Sequence, residues 1–241
     1  MRAGELLDLW EQGTALSPVE RALALAGASG AEIGVLRGRP YGRTNAGVLA
    51  LREAMIGPDL AATASCPGCG TRVEFAVGAE GLRAQPALGD GGTVEMGEYV
   101  VDWRLPTPDD LLEAAGAAEP GRALRRRCLA VASVAGDPVD PVGLPDDLVD
   151  RAEVAMAEAD PLAEVLVGLT CPECGIAFES DLDLGSFVWA EVEARARRVL
   201  QEVDTLARAY GWTEDDVLGL SESRRSAYLH LALQSALAGG A

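Results

Sequence analysis

The sequence predicts an α+β fold, predominantly helical, built around a small four-cysteine zinc-ribbon β element with a long insertion and flanked by N- and C-terminal helical segments. Three observations predict it. At both ends of the chain, apolar residues recur at helical spacing behind recognisable capping residues. Two short stretches, 71–77 and 176–182, instead alternate apolar and polar residues as half-buried strands do. Each of these is entered through the same pattern, Cys66-Pro67-Gly68-Cys69-Gly70 in one case and Cys171-Pro172-Glu173-Cys174-Gly175 in the other.

Taken in order, Leu6, Leu7, Leu9 and Trp10 give the opening helix an apolar face. Ser17-Pro18-Val19-Glu20 has the form of a capping box with proline at the first helical position, and Val19, Leu23 and Ala26 continue at helical spacing. A glycine-rich break over 27–42 precedes a helix over 45–55, which Gly57-Pro58 ends. Val73, Phe75 and Val77 then alternate with polar or small neighbours as a strand. The stretch 79–97, rich in Gly, Pro and Asp, reads as a long loop, and 99–105 as a further strand. Thr107-Pro108-Asp109-Asp110 caps a helix with acidic residues in its first turn, where the helix dipole favours them. Segments 123–134 and 146–157 read as helices separated by Pro138, Pro141 and Pro145, and 163–169 as an apolar strand. From 186 onward the pattern is helical: one long helix to Tyr210, then two short ones opened by Thr213 and Ser221. The chain thus divides into a helical segment (1–60), a first zinc-ribbon hairpin (61–84), an inserted and mostly helical region (85–160), a second hairpin (161–184) and a C-terminal helical segment (185–241).

Composition narrows the function. Apolar residues are 49% of the 241, enough for a sizeable core, but aromatics are only 5%, so that core must be Leu, Val and Ala. Asp and Glu number 38 against 20 basic residues, none of them lysine, giving a net charge of −18 and a pI near 4.4. Such a chain repels a phosphate backbone and an anionic membrane surface alike. No apolar run approaches the ~18 residues of a membrane span, and the start lacks the basic and apolar regions of a signal peptide. The expectation is a protein that is cytoplasmic in its producing cell. With a single histidine, any reaction needing two imidazoles is out.

Four of the five cysteines lie in the two knuckles, which are offset by 105 residues; the same offset aligns Val73 with Phe178 and Glu74 with Glu179. Two such knuckles supply Cys66, Cys69, Cys171 and Cys174 to a tetrahedral structural Zn2+. In each, a tight turn brings two sulfurs to one side, and the glycine after the second cysteine allows positive φ. Thiol-redox chemistry also uses Cys-Pro-x-Cys, but at a helix N-terminus, whereas both pairs here lead into strand-like sequence. Structural disulfides suit an oxidising compartment, and half-sites completed by a second chain are the third alternative. The 101 residues between Cys69 and Cys171 far exceed the ~15–20 usual in a zinc ribbon, yet an insertion between two hairpins is sterically harmless. One closed zinc per chain is the reading adopted. Four thiolates leave no position for water, so the zinc is not catalytic and no catalytic residue is assigned. Cys128 reads as a small buried apolar residue, Arg125-Arg126-Arg127 as a solvated face or partner contact, and His230 as a packed or surface histidine. Trp189, Tyr210 and Trp212 read as packing of the C-terminal helices.

Several blocks carry a resemblance. They are Cys171-Pro-Glu-Cys-Gly, Ser186-Phe-Val-Trp-Ala-Glu, Glu202-Val-Asp-Thr-Leu-Ala-Arg-Ala-Tyr-Gly-Trp-Thr-Glu-Asp-Asp-Val-Leu and Ser221-Glu-Ser-Arg-Arg-Ser-Ala-Tyr-Leu. Together with Leu6-Leu-Asp-Leu-Trp-Glu, Pro18, Arg21-Ala-Leu-Ala-Leu, Leu51-Arg-Glu, Cys66-Pro-Gly-Cys-Gly and Arg104-Leu-Pro-Thr-Pro-Asp-Asp-Leu-Leu, they resemble the baseplate protein family of T-even-like contractile phage tails and related bacterial contractile injection systems. The Tyr-Gly-Trp-Thr-Glu block followed by Arg-Arg is the most specific of them. The resemblance implies a non-enzymatic structural component or assembly factor of a baseplate or its hub, partnered by other baseplate or hub proteins and part of a phage-like particle. The alternatives are a zinc-ribbon accessory protein of transcription or RNA metabolism, which the negative charge disfavours, and a CxxC thiol-redox protein. If a baseplate role holds, Phe187, Val188, Val192, Val199, Leu200, Val203 and Leu206, with Trp212 and Tyr228, are the candidate partner surface; packing on the protein's own core is the competing reading.

Overall fold

In the computed structural model, which describes residues 1–83 and 89–239, the caps marked in the sequence start their helices. The first helix, α1, is Ala3–Gly13, and α2 is Pro18–Ala28. The Glu20 amide donates to Ser17 Oγ at 3.4 Å, and the Ser17 amide donates to the Glu20 carboxylate at 2.9 Å, closing the reciprocal box. The break over 27–42 is shorter than its glycines suggest: α3 occupies Ile33–Leu36, and α4 already begins at Tyr41 and runs to Met55. A first antiparallel hairpin follows, β1 (Asp59–Ser65) with β2 (Arg72–Gly78), and then the short α5 (Ala79–Arg83).

The expected loop over 79–97 is corrected by the structure. Besides α5, it contains β3 (Gly91–Met96), paired antiparallel with β4 (Tyr99–Arg104); residues 84–88 lie outside the described residues. The glycines that suggest a loop are there for Trp103. A Cβ on Gly92 would lie 2.7 Å from the Trp103 ring, and one on Gly91 would lie 2.6 Å from the Trp103 carbonyl oxygen, so only glycine lets this strand pass. A second correction concerns 123–134. The helix α7 (Pro120–Cys128) stops at Cys128, and Leu129–Val134 forms β5, which pairs with β4 on one side and with β6 (Asp137–Pro138) on the other. The inserted region therefore holds a four-stranded sheet, β3-β4-β5-β6, as well as helices α6 (Pro108–Ala115), α7 and α8 (Asp146–Ala159). Val101, Leu129, Ala132, Leu144, Leu148, Val149 and Ala152 bury the sheet against α8.

A second hairpin, β7 (Leu166–Thr170) with β8 (Ala177–Asp181), leads into α9 (Leu184–Tyr210). After it come α10 (Glu214–Leu218), capped by Thr213, and α11 (Glu222–Gly239), an 18-residue helix where the sequence predicts a short one. The chain forms two units, 17–187 and 1–16 with 188–241. In the second of these, Leu6, Leu7, Leu9, Val188, Val192, Val199, Leu206 and Val217 are buried. That corrects the candidate partner stripe: Val188, Val192, Val199 and Leu206 are core, Phe187 packs under the hairpins, Val203 is half-buried, and only Leu200 is exposed. No described helix is long and apolar enough to cross a membrane.

Candidate metal centre

Each knuckle is a turn held by two backbone hydrogen bonds, and the two turns match. The Cys66 amide donates to the Thr71 carbonyl at 2.9 Å and the Gly70 amide to the Cys66 carbonyl at 2.9 Å. Their counterparts, Cys171 to Ile176 and Gly175 to Cys171, measure 2.9 and 3.0 Å. Gly70 and Gly175 take φ of +74° and +73°, a left-handed conformation that a Cβ would penalise.

The likeness extends well beyond the turns. Strand register is preserved under the 105-residue offset: Ala64 faces Val73 as Leu169 faces Phe178, and Ser65 faces Arg72 as Thr170 faces Ala177. Below the sulfurs, Cys66, Val73 and Cys171 are buried with Phe178 packed on them, two pairs related by that offset. Further down, Leu60 and Val165, Val77 and Leu182, Ala79 and Leu184, and Leu82 and Phe187 meet in one cluster with Leu49, each pair again 105 apart. Residues 60–82 and 165–187 are thus two copies of a hairpin-plus-helix-start, paired along their length. The sequence showed the offset at the cysteines and two strand positions; tracing it along both flanks would have found the rest.

At the tip, the four sulfurs lie within 4.8 Å of one another, a cluster close enough to hold one metal ion. Cys66 and Cys174 Sγ are 3.6 Å apart, as are Cys69 and Cys171, so no pair is disulfide-bonded. A tetrahedron with metal–sulfur bonds near 2.3 Å has edges of about 3.8 Å, which these separations approach. Cys66 and Cys171 are buried, while Cys69 and Cys174 are exposed. The Thr71 hydroxyl, 3.3 Å from Cys69, helps with the Thr71 amide and the facing sulfurs to pull the Cys69 thiol down to about 6. At Cys174 the Ile176 amide also acts downward, but partial desolvation and three neighbouring sulfurs override it and push the thiol up to about 12. Four thiolates this close would repel one another, and a cation among them would offset that repulsion. Neither pair opens a helix, since each sits between two strands. Ile176 covers the tip: a Cβ on Gly68 would collide with its Cδ1.

The remaining candidates have structural partners. Cys128 is buried, and burial raises its thiol to about 11. The arginine run is ion-paired: Arg125 with Glu153 at 3.4 Å, Arg126 with Asp140 at 3.0 Å, and Arg127 with Glu113 and, at 3.5 Å, Asp110. His230 is exposed, with its Nε2 2.9 Å from the Gln234 side chain. Tyr210 stacks on Trp212 with centroids 4.7 Å apart, and Tyr228 meets both edge-on. The arginine pair of the Ser221–Leu229 block is explained in part by Arg225, which is buried and donates from Nε to Glu202 at 2.6 Å.

These features define the class: an α+β protein with a duplicated hairpin closed at its tip by four cysteines that can hold a metal. Compared with protein-family models, curated proteins and solved structures, the chain finds no match in any of the three.

Proposed function

We propose that Cys66, Cys69, Cys171 and Cys174 bind one structural Zn2+ per chain. We further propose that the chain serves as a non-enzymatic component or assembly factor of a phage-like contractile-tail baseplate, acting through protein–protein contacts. The observation that carries the metal reading is the symmetric closure of four sulfurs within 4.8 Å at the tip of paired hairpins. A soft, all-thiolate tetrahedral set suits zinc, with iron as the competitor that shares its geometry. Four protein ligands fill the coordination shell, which supports a structural rather than a catalytic ion. The baseplate reading is supported by the sequence blocks given above, two of which build the Tyr210–Trp212–Tyr228 corner and the Arg225–Glu202 pair. The net charge of −18 favours a protein partner over nucleic acid.

Two measurements test this. Native mass spectrometry of the monomer should show one zinc; a metal-free chain of ordinary stability, a coloured iron form, or zinc found only in dimers would each overturn that part. Affinity-tagged protein recovered from a producing strain should bring down baseplate or hub proteins. Recovery of transcription or RNA-processing proteins in their place would refute the baseplate part.

A further inference from the structure

We propose that the four-sulfur cluster is also a site of oxidative modification by peroxide, at which disulfides form between the knuckles, Cys69 to Cys171 and Cys66 to Cys174, so that a covalent clip replaces the metal. The proposal deepens the metal reading and rests on it for the release of an ion. Its basis is how exposure and distance combine. Each 3.6 Å contact joins an exposed sulfur of one knuckle to a buried sulfur of the other. Peroxide in solvent can reach Cys69 and Cys174. The sulfur positioned to answer each is shielded, so peroxide does not oxidise it first.

The chemistry balances at each pair. The exposed sulfur, deprotonated as a metal ligand, attacks one oxygen of hydrogen peroxide, the O–O bond breaks, and a sulfenic acid forms as hydroxide leaves. The buried thiolate then attacks that sulfur; the S–O bond breaks, the S–S bond forms, and a second hydroxide leaves. Two thiolates have given two electrons to one peroxide, which with two protons from solvent becomes two waters. Two peroxides complete both pairs, and the ion, having lost its thiolates, departs as a divalent cation.

The consequence depends on which sulfurs join. Disulfides inside a knuckle, Cys66 to Cys69 and Cys171 to Cys174, would leave the hairpins without a link. Disulfides across the knuckles keep them together, and the underlying cluster of Leu60, Val165, Val77 and Leu182 stays in register. The two knuckle turns, each fixed by a pair of backbone hydrogen bonds, hold their own cysteines in place while the facing knuckle supplies the partner.

The experiment uses the full chain. Metal per chain is measured first, by native mass spectrometry. A few equivalents of hydrogen peroxide are then added while zinc release is followed with a chromophoric chelator and free thiols are counted. Cleavage at Arg52, Arg72, Arg151 and Arg195 leaves Cys66 with Cys69 on one peptide and Cys171 with Cys174 on another. Crossed disulfides weld the two peptides, whereas knuckle-internal ones leave them separate. The expected result is a welded pair, free thiols falling from five to the one at Cys128, and stoichiometric ion release. Fragmentation of the welded pair should place the bonds at Cys69–Cys171 and Cys66–Cys174, and amide protection in both hairpins should persist. Separate peptides, sulfinic acids without disulfides, or a bond between the exposed Cys69 and Cys174 would overturn the proposal. A chain that holds no metal yet welds would refute the metal reading alone, and one that holds zinc yet does not weld would refute this proposal alone.

Discussion

Asp110 gathers the polar chemistry of its neighbourhood onto one carboxylate. It is 5% exposed and accepts two hydrogen bonds from the Arg104 guanidinium, at 2.5 and 2.8 Å, as well as the Thr107 amide at 3.0 Å and hydroxyl at 2.8 Å. Burial by itself would raise its pKa, but Arg104 and Thr107 together outweigh burial and hold it at about 2. The folded value is therefore below the ~3.9 of an unfolded aspartate, so the stabilisation is complete above about pH 4 and is lost as pH falls towards 2. Replacing Asp110 by Asn should lower unfolding free energy by about 2 kcal/mol at pH 7, a figure discounted for the half-exposed Arg104. Urea titrations of both proteins should show the gap closing between pH 4 and about 2.5. A gap unchanged at pH 3 would mean that the pair is not what the carboxylate contributes.

At the scale of elements, the duplicated hairpin makes a prediction in pairs. Alanine at Gly70 or at Gly175 meets no atom within 4 Å, so its cost is the backbone conformation alone, about 1 kcal/mol for a non-glycine residue in the left-handed region. The two φ values differ by a degree, and the two variants should lose equal stability; a twofold difference in the measured loss would show that the copies are not mechanically equivalent. Because the cluster joins both tips, Cys171→Ser should speed amide exchange in β1 and β2 as well as in β7 and β8. Exchange altered only around residue 171 would contradict a shared site. What the sequence made legible follows the same division. Caps such as Ser17, Thr107 and Thr213 are local devices, readable because donor and acceptor lie three residues apart. The cysteine knuckles are equally local, so the four sulfurs could be named in advance. By contrast, β3 depended on Trp103 lying across Gly92, and β5 on an alanine-rich segment finding β4, neither of which nearby sequence encodes. The facing of exposed against buried sulfurs is likewise a property of two turns brought together from 102 and 108 residues apart.

For the molecule as a whole, an excess of 18 negative charges repels itself, and salt screens that repulsion over a Debye length that shrinks from ~30 Å at 0.01 M to ~3 Å at 1 M. Raising sodium chloride from about 0.02 to about 0.5 M should therefore raise the urea midpoint, since most ion pairs among the described residues are exposed and contribute little. A midpoint that falls with salt would mean that those pairs outweigh the net charge. The duplication also has a consequence in time. A ribosome adds roughly 5–20 residues per second, so the 105 residues separating the knuckles take about 5–20 s to make. Throughout that interval a growing chain displays Cys66 and Cys69 with nothing opposite them. Because the second knuckle repeats the geometry of the first, a knuckle from another nascent chain offers the same shape as the one still to be made. Slow synthesis gives each chain longer in this exposed state, and dense polysomes bring such chains together. Slowing elongation should therefore raise the share of dimer in freshly made protein, which size-exclusion chromatography reads.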